Sequence, residues 1–349
     1  MRRGLISRSL AELPDAVFEA RVVAVQSAMR EAQLDALLVY SNNTRPAGVS
    51  WLTGFVPYWS EALLVLARDR PPVLVVALTY RVKSWIESTS RVTEVIHTPR
   101  VGRDAARLIA SAKADAVVGV ADLAGLATAI VEDLCSSGPR LSLRDATAMF
   151  APLRAHADPA EIMLATKAAA IAHRALARGS GATLGEFIAA VEGTARALGA
   201  EETYVAAAPD LARDCRLRRI ESGAQLGESF ALRASVAYKG TWVRLVRSFT
   251  DKLRHDEATA RFAAAVAQLP QAYAFAGFSS WLIEGCRIAQ PLAPLLGSRM
   301  HEQGALAPHA LVSVQASLVI DGRPVLLGAP ALLGRHGEAA SLLVEPRFD

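Results

Sequence analysis

Apolar positions recur along this chain with two different periods, and the switching between them predicts an alternating α/β first half. Residues 16–33 (AVFEARVVAVQSAMREAQ) place apolar side chains three and four apart, which predicts an amphipathic helix. DALLVY (35–40) is a short continuous apolar run and predicts a buried strand. ALLVLAR (62–68) and PVLVVAL (72–78) are two β-rich runs joined by DRPP, a hairpin signal. A helical stretch at 84–90, a strand at 93–98, a helix at 104–113 and a strand at 115–121 continue the alternation. The first domain is therefore expected over residues 1–150.

A new pattern starts at 151–176, an Ala-rich helical stretch in which Asp158-Pro159 marks a helix start. Thr183 with Glu186 three residues on is a capping-box spacing for a second helix, 183–199, closed by Gly199. Strands are expected at 204–208, 228–238 and 241–249, a helix at 256–275, and strands at 311–320 and 324–333. This second domain, 151–349, reads as α+β.

Composition adds exclusions more than assignments. The chain has 349 residues, 52% of them apolar, enough for two sizeable cores. The net charge of +4 is mild, and Lys and Arg are scattered, so no nucleic-acid partner is expected. Cys135, Cys215 and Cys286 lie far apart without a CxxC pair, which fits a reducing, cytoplasmic setting. The first residues, MRRGLISRSLAELPD, carry charge without an apolar run, and no uninterrupted apolar run reaches membrane-spanning length, so neither a signal peptide nor a membrane span is expected.

Six local signatures fall in a fixed order. They are Trp51-Leu52-Thr53-Gly54-Phe55; Arg154 with Asp158-Pro159-Ala160-Glu161-Ile162; Gly181-Ala182-Thr183 with Glu186; Gly227-Glu228 ahead of Arg233; Gly240 and Arg247-Ser248-Phe249 around Arg244; and Leu306-Ala307-Pro308 ahead of Val314-Gln315. Together they resemble the creatinase/aminopeptidase P/methionine aminopeptidase family across nearly the whole chain. That resemblance implies a creatinase-like N-terminal α/β domain followed by a pita-bread domain of the aminopeptidase type. It also implies dimers, and in most members a pair of divalent metals.

The positions that the resemblance marks as metal ligands hold other residues here. Arg233 and Arg244, eleven residues apart, stand where the family has its two metal-binding Asp residues. Gln315 and Gly328 stand at the two Glu positions, and Cys286 and Ala293 best match the two His positions. Pro209-Asp210 followed by Cys215 takes the place of a Pro-Asn with a His five residues on. Arg remains protonated and offers only donors, so it cannot ligate a metal. Two cations also repel one. No metal and no other cofactor is therefore expected.

Three readings follow. In the first, the chain is a non-catalytic structural or regulatory subunit, paired with itself or with an active relative. The second is a metal-independent hydrolase of a small C–N compound, as creatinase is within this family, with Cys215 as nucleophile and its thiol activated by Arg213, Arg216, Arg218 and Arg219. The third is a binding module that holds a small anionic metabolite between Arg233, Arg244 and Arg247. Trp242, Gln315, Cys286, Asn43, Arg45 and Tyr58 are further candidate pocket residues. The plain alternative for the arginines is ion pairing with Glu228, Glu221 or Asp210 in a collapsed pocket.

Overall fold

A computed structural model describes residues 9–347 except 58, 137–140, 222, 272, 274, 288–289, 301–303, 305 and 336. The chain forms two compact units, one mainly of residues up to Arg154 and the other mainly of residues from Ala155.

The first unit is built from α1 (Asp15–Glu31), β1 (Ala36–Asn42), α2 (Ala47–Thr53), β2 (Glu61–Ala67), β3 (Val73–Val76), α3 (Lys83–Thr89), β4 (Glu94–His97), α4 (Val101–Ala112), β5 (Val117–Ala121), α5 (Thr128–Ser136), β6 (Ser142–Asp145) and α6 (Thr147–Leu153). Its mixed sheet has the order β4-β3-β2-β1-β5-β6. The expected hairpin is present: β2 and β3 pair antiparallel from Ala62↔Val76 to Val65↔Val73. β1 pairs antiparallel with β2 and parallel with β5. The apolar runs fill two buried clusters on opposite faces, with Leu37, Val39, Leu64 and Leu66 in one and Leu38, Leu63, Val65 and Val118 in the other. That is the sheet covered on both sides that continuous apolar runs demand. The Trp51–Phe55 signature is the end of α2 and its exit: Gly54 sits at φ +74, the left-handed position that closes a helix most easily with glycine, and its N–H donates to Ser50 O at 2.7 Å. The main stretch of unit 1 runs to Arg154 and includes α6, where the sequence places the boundary near 150.

The second unit contains α7 (Pro159–Ala177), α8 (Leu184–Ala197), β7 (Glu202–Ala208), β8 (Phe230–Tyr238), β9 (Thr241–Phe249), α9 (Lys252–Ala267), β10 (Phe278–Arg287), β11 (Gln290–Gly297), β12 (Leu311–Ile320), β13 (Arg323–Leu332) and the short β14 (Ser341–Leu342). Its antiparallel sheet runs β11-β10-β12-β13-β9-β8-β7, with β14 added on β13. Both expected capping boxes form, Asp158 with Glu161 on α7 and Thr183 with Glu186 on α8. The alanines of α7 are a packing device: Ala165, Ala168, Ala172 and Ala175 are fully buried, and the helix lies close against β8 and β9. One correction concerns α9, expected over 256–275. It begins at Lys252, because Asp251 caps it by accepting from Arg254 N at 3.0 Å. It ends at Ala267, ahead of Pro270, which has no N–H to continue the ladder.

Period-two alternation splits β8, β9, β12 and β13 between two faces. Leu232, Ala234 and Val236 of β8, Val243 and Leu245 of β9, Val312, Val314 and Ala316 of β12, and Val325, Leu327 and Ala329 of β13 all join the core that includes buried residues of α7, α8 and α9. The alternate positions lie on the opposite face, which carries the candidate site.

Candidate functional site

Two tight hairpins set the register of this face. Lys239 and Gly240 turn β8 into β9 with φ of +47 and +78, and Asp321 and Gly322 turn β12 into β13 with φ of +49 and +74. Two consecutive positive-φ residues make the type I′ geometry that suits the twist of paired strands. The first turn places Arg233 opposite Val246 and Ser235 opposite Arg244. The second places Gln315 opposite Gly328. With Gly328 paired to Val246 and Gln315 to Leu282, one row across the sheet reads Arg233, Val246, Gly328, Gln315, Leu282. A step of two residues away are Ser235, Arg244, Ser313 and Glu284.

These residues form a hydrogen-bonded network. Arg244 ion-pairs with Glu284 through a short contact, and its Nε donates to Ser235 Oγ at 3.0 Å. Glu284 is only 2% exposed. Its second oxygen accepts from the Gln315 amide nitrogen. The Gln315 amide oxygen faces the other way and accepts from Arg233 Nη1 at 3.4 Å. Ser313 Oγ donates to the backbone oxygen of Arg244 at 3.0 Å. An amide at 315 can accept from a guanidinium and donate to a carboxylate at once, which a glutamate could not do.

The two arginines differ in what they meet. Arg244 has a carboxylate. Arg233 makes no ion pair among the described residues, and its buried Nε has no hydrogen-bond partner there. Burial, and next the neighbouring Arg244 cation, push the Arg233 guanidinium below its ordinary value, while Glu284 pulls it back. The expected pairing with Glu228, Glu221 or Asp210 is therefore corrected. Glu228 pairs with Arg323, Asp210 with Arg213 at 3.2 Å, and the anion for Arg244 is Glu284.

Arg233 and Gln315 open onto a cavity of about 470 Å³ that Cys215 also lines, with Val246, Leu282, Leu326 and Met300 as its apolar part. Arg299, exposed on the turn after β11, stands at its rim. The structure thus brings Cys215, Arg233 and Gln315 together.

Cys215 does not have the surroundings expected of an activated thiol. Its flanking cations are already committed: Arg216 and Arg218 pair with Asp214, and Arg213 with Asp210. Burial first, and the Asp214 carboxylate second, push the Cys215 thiol up, and the thiol donates to Leu211 O at 3.4 Å. Cys286 is pushed up as well, by burial and then by Glu284, and it packs against Ala237 and Trp242. Trp242 stacks on Tyr204 with ring centroids 5.6 Å apart, and is a packing residue rather than a cavity wall.

Arg247 is also corrected. It lies three residues from Arg244 and so on the other face of the sheet. There its Nη1 donates to Leu176 O at the end of α7 at 2.9 Å, and its guanidinium lies 4.5 Å from the Phe249 ring centre. Burial holds it down to about 10. An anion held jointly by Arg233, Arg244 and Arg247 is excluded by this geometry. Asn43 and Arg45 belong to the first unit, where Arg45 pairs with Asp122 at 3.1 Å and Asn43 is exposed. Tyr58 lies outside the described residues.

The residues that the sequence resemblance marks as metal ligands do not fit a metal pair. Guanidinium groups stand at two of them and an amide, committed on both sides, at a third. At Gly328 a Cβ would come within 2.8 Å of Val246 Cγ2 and 3.0 Å of Val314 O, so no side chain fits without displacing a stiff neighbour. Glu284, the one carboxylate of the network, is held by Arg244 and Gln315. Among the described residues no three His, Cys, Asp or Glu side chains gather as a metal site.

Residues 21–156 match the family described as the Creatinase/Prolidase N-terminal domain. No curated protein matches the chain by sequence. Among solved structures, the prolidase from Pyrococcus horikoshii OT3 superposes with a TM-score of 0.68 at 14% identity, covering 95% of this chain and 99% of that one. The Xaa-Pro dipeptidase from Bacillus anthracis gives 0.68 at 16% identity, over 95% and 99%. The X-Pro aminopeptidase from Thermotoga maritima MSB8 gives 0.71 at 15% identity, over 94% and 99%. The N-terminal unit thus belongs to the creatinase/prolidase N-terminal domain family, and the chain as a whole has the two-domain, pita-bread fold of the creatinase/aminopeptidase P family.

Proposed function

We propose that this chain is a non-hydrolytic member of that family, acting as a structural or regulatory subunit in a dimer with itself or with an active relative. One observation carries the reading: Arg244, Glu284 and Gln315 form a network closed on itself on the face where the fold's metal-binding carboxylates would stand. Dinuclear peptidase chemistry needs several anionic oxygen or imidazole donors converging on the metals. Here the cations are covalently part of the protein, and their charge is already balanced in part by Glu284.

The metal-independent hydrolase reading has less support. A nucleophilic thiol needs a depressed pKa or an adjacent base, and Cys215 has a raised one, with its hydrogen bond spent on a backbone carbonyl.

The test is twofold. The purified chain is assayed on Xaa-Pro dipeptides, the substrates named for its structural relatives, with Mn(II) and Co(II) added; no turnover above background is expected. Native mass measurement after copurification from the host should show a dimer of the chain or a complex with an intact relative. Turnover by the isolated chain overturns the non-hydrolytic half. A monomer with no relative attached overturns the subunit half.

A further inference from the structure

The face that resembles a metal site has kept a cavity, and the cavity has gained a cation. Arg233 lines it with a guanidinium that lacks an ion pair among the described residues and whose buried Nε has no partner there. The nearby carboxylate, Glu284, is held by Arg244 on one oxygen and by Gln315 on the other, and it does not line the cavity. Desolvating a half-buried cation that has no ion pair among the described residues, and whose charge Glu284 eases only in part, is costly, and a ligand anion would complete its pairing.

We propose that this cavity is a binding site for a small carboxylate with a compact apolar body, the carboxylate seated on the fork of Arg233 and the body against Leu282, Leu326 and Met300. The assignment rests on the reading that this face no longer takes metals. A planar guanidinium matches a carboxylate with two parallel hydrogen bonds. Gln315 holds Arg233 from one side through its amide oxygen, which orients the fork. Apolar residues of four strands line one part of the cavity, and Ser280, Ser298 and Ser317 add hydroxyl groups beside Arg233 and Gln315. At about 470 Å³ the space lies within the range of pockets that enclose small organic ligands. Of the arginines lining the cavity, Arg299 is exposed and Arg216 is paired with Asp214, which leaves Arg233 as the inner cation and favours a monoanion over a phosphate dianion.

The experiment is isothermal titration of the full chain with hexanoate, benzoate, acetate, the neutral amide hexanamide and inorganic phosphate at fixed ionic strength. Hexanoate or benzoate should bind, acetate more weakly, and hexanamide not at all. Arg233→Met should lose at least tenfold in affinity while the ligand-free protein melts no lower than wild type, since a half-buried cation with no ion pair among the described residues has been removed. Arg233→Lys keeps the charge and loses the fork, and should bind with an intermediate constant. Leu282→Asn should weaken hexanoate and leave acetate unchanged. Equal binding of hexanoate by wild type and Arg233→Met, absence of carboxylate binding to wild type, or preference for phosphate each overturns the proposal. Hydrolytic turnover would sink the non-hydrolytic reading but leave these titrations to be judged on their own result.

Discussion

Replacing Arg244 by Met removes the cation from Glu284, which is 2% exposed and keeps only the Gln315 amide as a hydrogen-bond donor from this network. Stranding one partner of a buried pair costs about 3–5 kcal/mol. A change of 1 kcal/mol moves the melting temperature of a domain of 150–250 residues by about 2–4 °C, so Arg244→Met should lower the transition of the second unit by roughly 6–20 °C. Glu284→Gln should also destabilise, because Arg233 and Arg244 then face each other without an anion. Arg244→Met combined with Glu284→Leu removes both charges and should recover most of the loss, since apolar replacement of a whole buried pair is often neutral or better. The assay is calorimetry of the four proteins as a double-mutant cycle. A coupling below about 0.5 kcal/mol, with each single variant costing less than about 1 kcal/mol, would refute the claim that Arg244 and Glu284 close the site together.

Other consequences are smaller and independent. Glu201 is half-buried, and its loss of solvent chiefly raises its carboxyl from 4.5 to about 7, while its Oε2 accepts from Gly240 N at 2.9 Å. The folded state therefore holds a proton that the unfolded state releases near 4.5. Stability is highest below that value and falls as pH rises through 7, by at most about 3 kcal/mol. Glu201→Gln should flatten urea-derived stability between pH 4.5 and 7.5 and stabilise the protein at pH 8; an unchanged slope would clear Glu201 of that role. Thiol labelling of the native protein should modify exposed Cys135 first and Cys286, half-buried and the most strongly raised thiol, last; labelling of Cys286 as fast as Cys135 would contradict its packing. Gly328→Ala should destabilise by about 1–3 kcal/mol through the Val246 and Val314 contacts, and a neutral result would mean that this part of the face can open. Asp158→Ala should cost about 1 kcal/mol through loss of the α7 capping box.

Much of the fold was legible because it rests on local rules. Periodicity marks α1, α3, α4 and β1 to β5 of the first unit but not α2, α5, β6 or α6, and capping chemistry at Asp158 and Thr183 places α7 and α8. Tertiary context decided the rest. The strands β10 and β11 carry too many polar and small residues to show as apolar runs, and they went unseen. With them went Glu284, the anion of the site, whose one signal is an acidic residue amid the apolar positions of WLIEGC. The separation of Arg247 from Arg244 is legible in sequence, since an odd spacing on one strand means opposite faces. The raised Cys215 thiol is not legible in sequence, which shows four arginines around it but not that Asp214 and Asp210 pair with three of them. The boundary at Arg154 also depended on packing, because α6 is short and has no strong cap of its own.

The most direct test of the central claim is a metal titration of the full chain. Mn(II), Co(II) and Zn(II) are added at pH 7.5, excess metal is removed by gel filtration, and bound metal is counted per chain by plasma emission. The account predicts no stoichiometric metal and no gain in melting temperature, because guanidinium and amide groups stand where carboxylates would be needed. Two metals per chain, lost on mutation of Glu284 or Gln315 and returning with Xaa-Pro hydrolysis, would show that the network opens to bind them, and the account would be wrong.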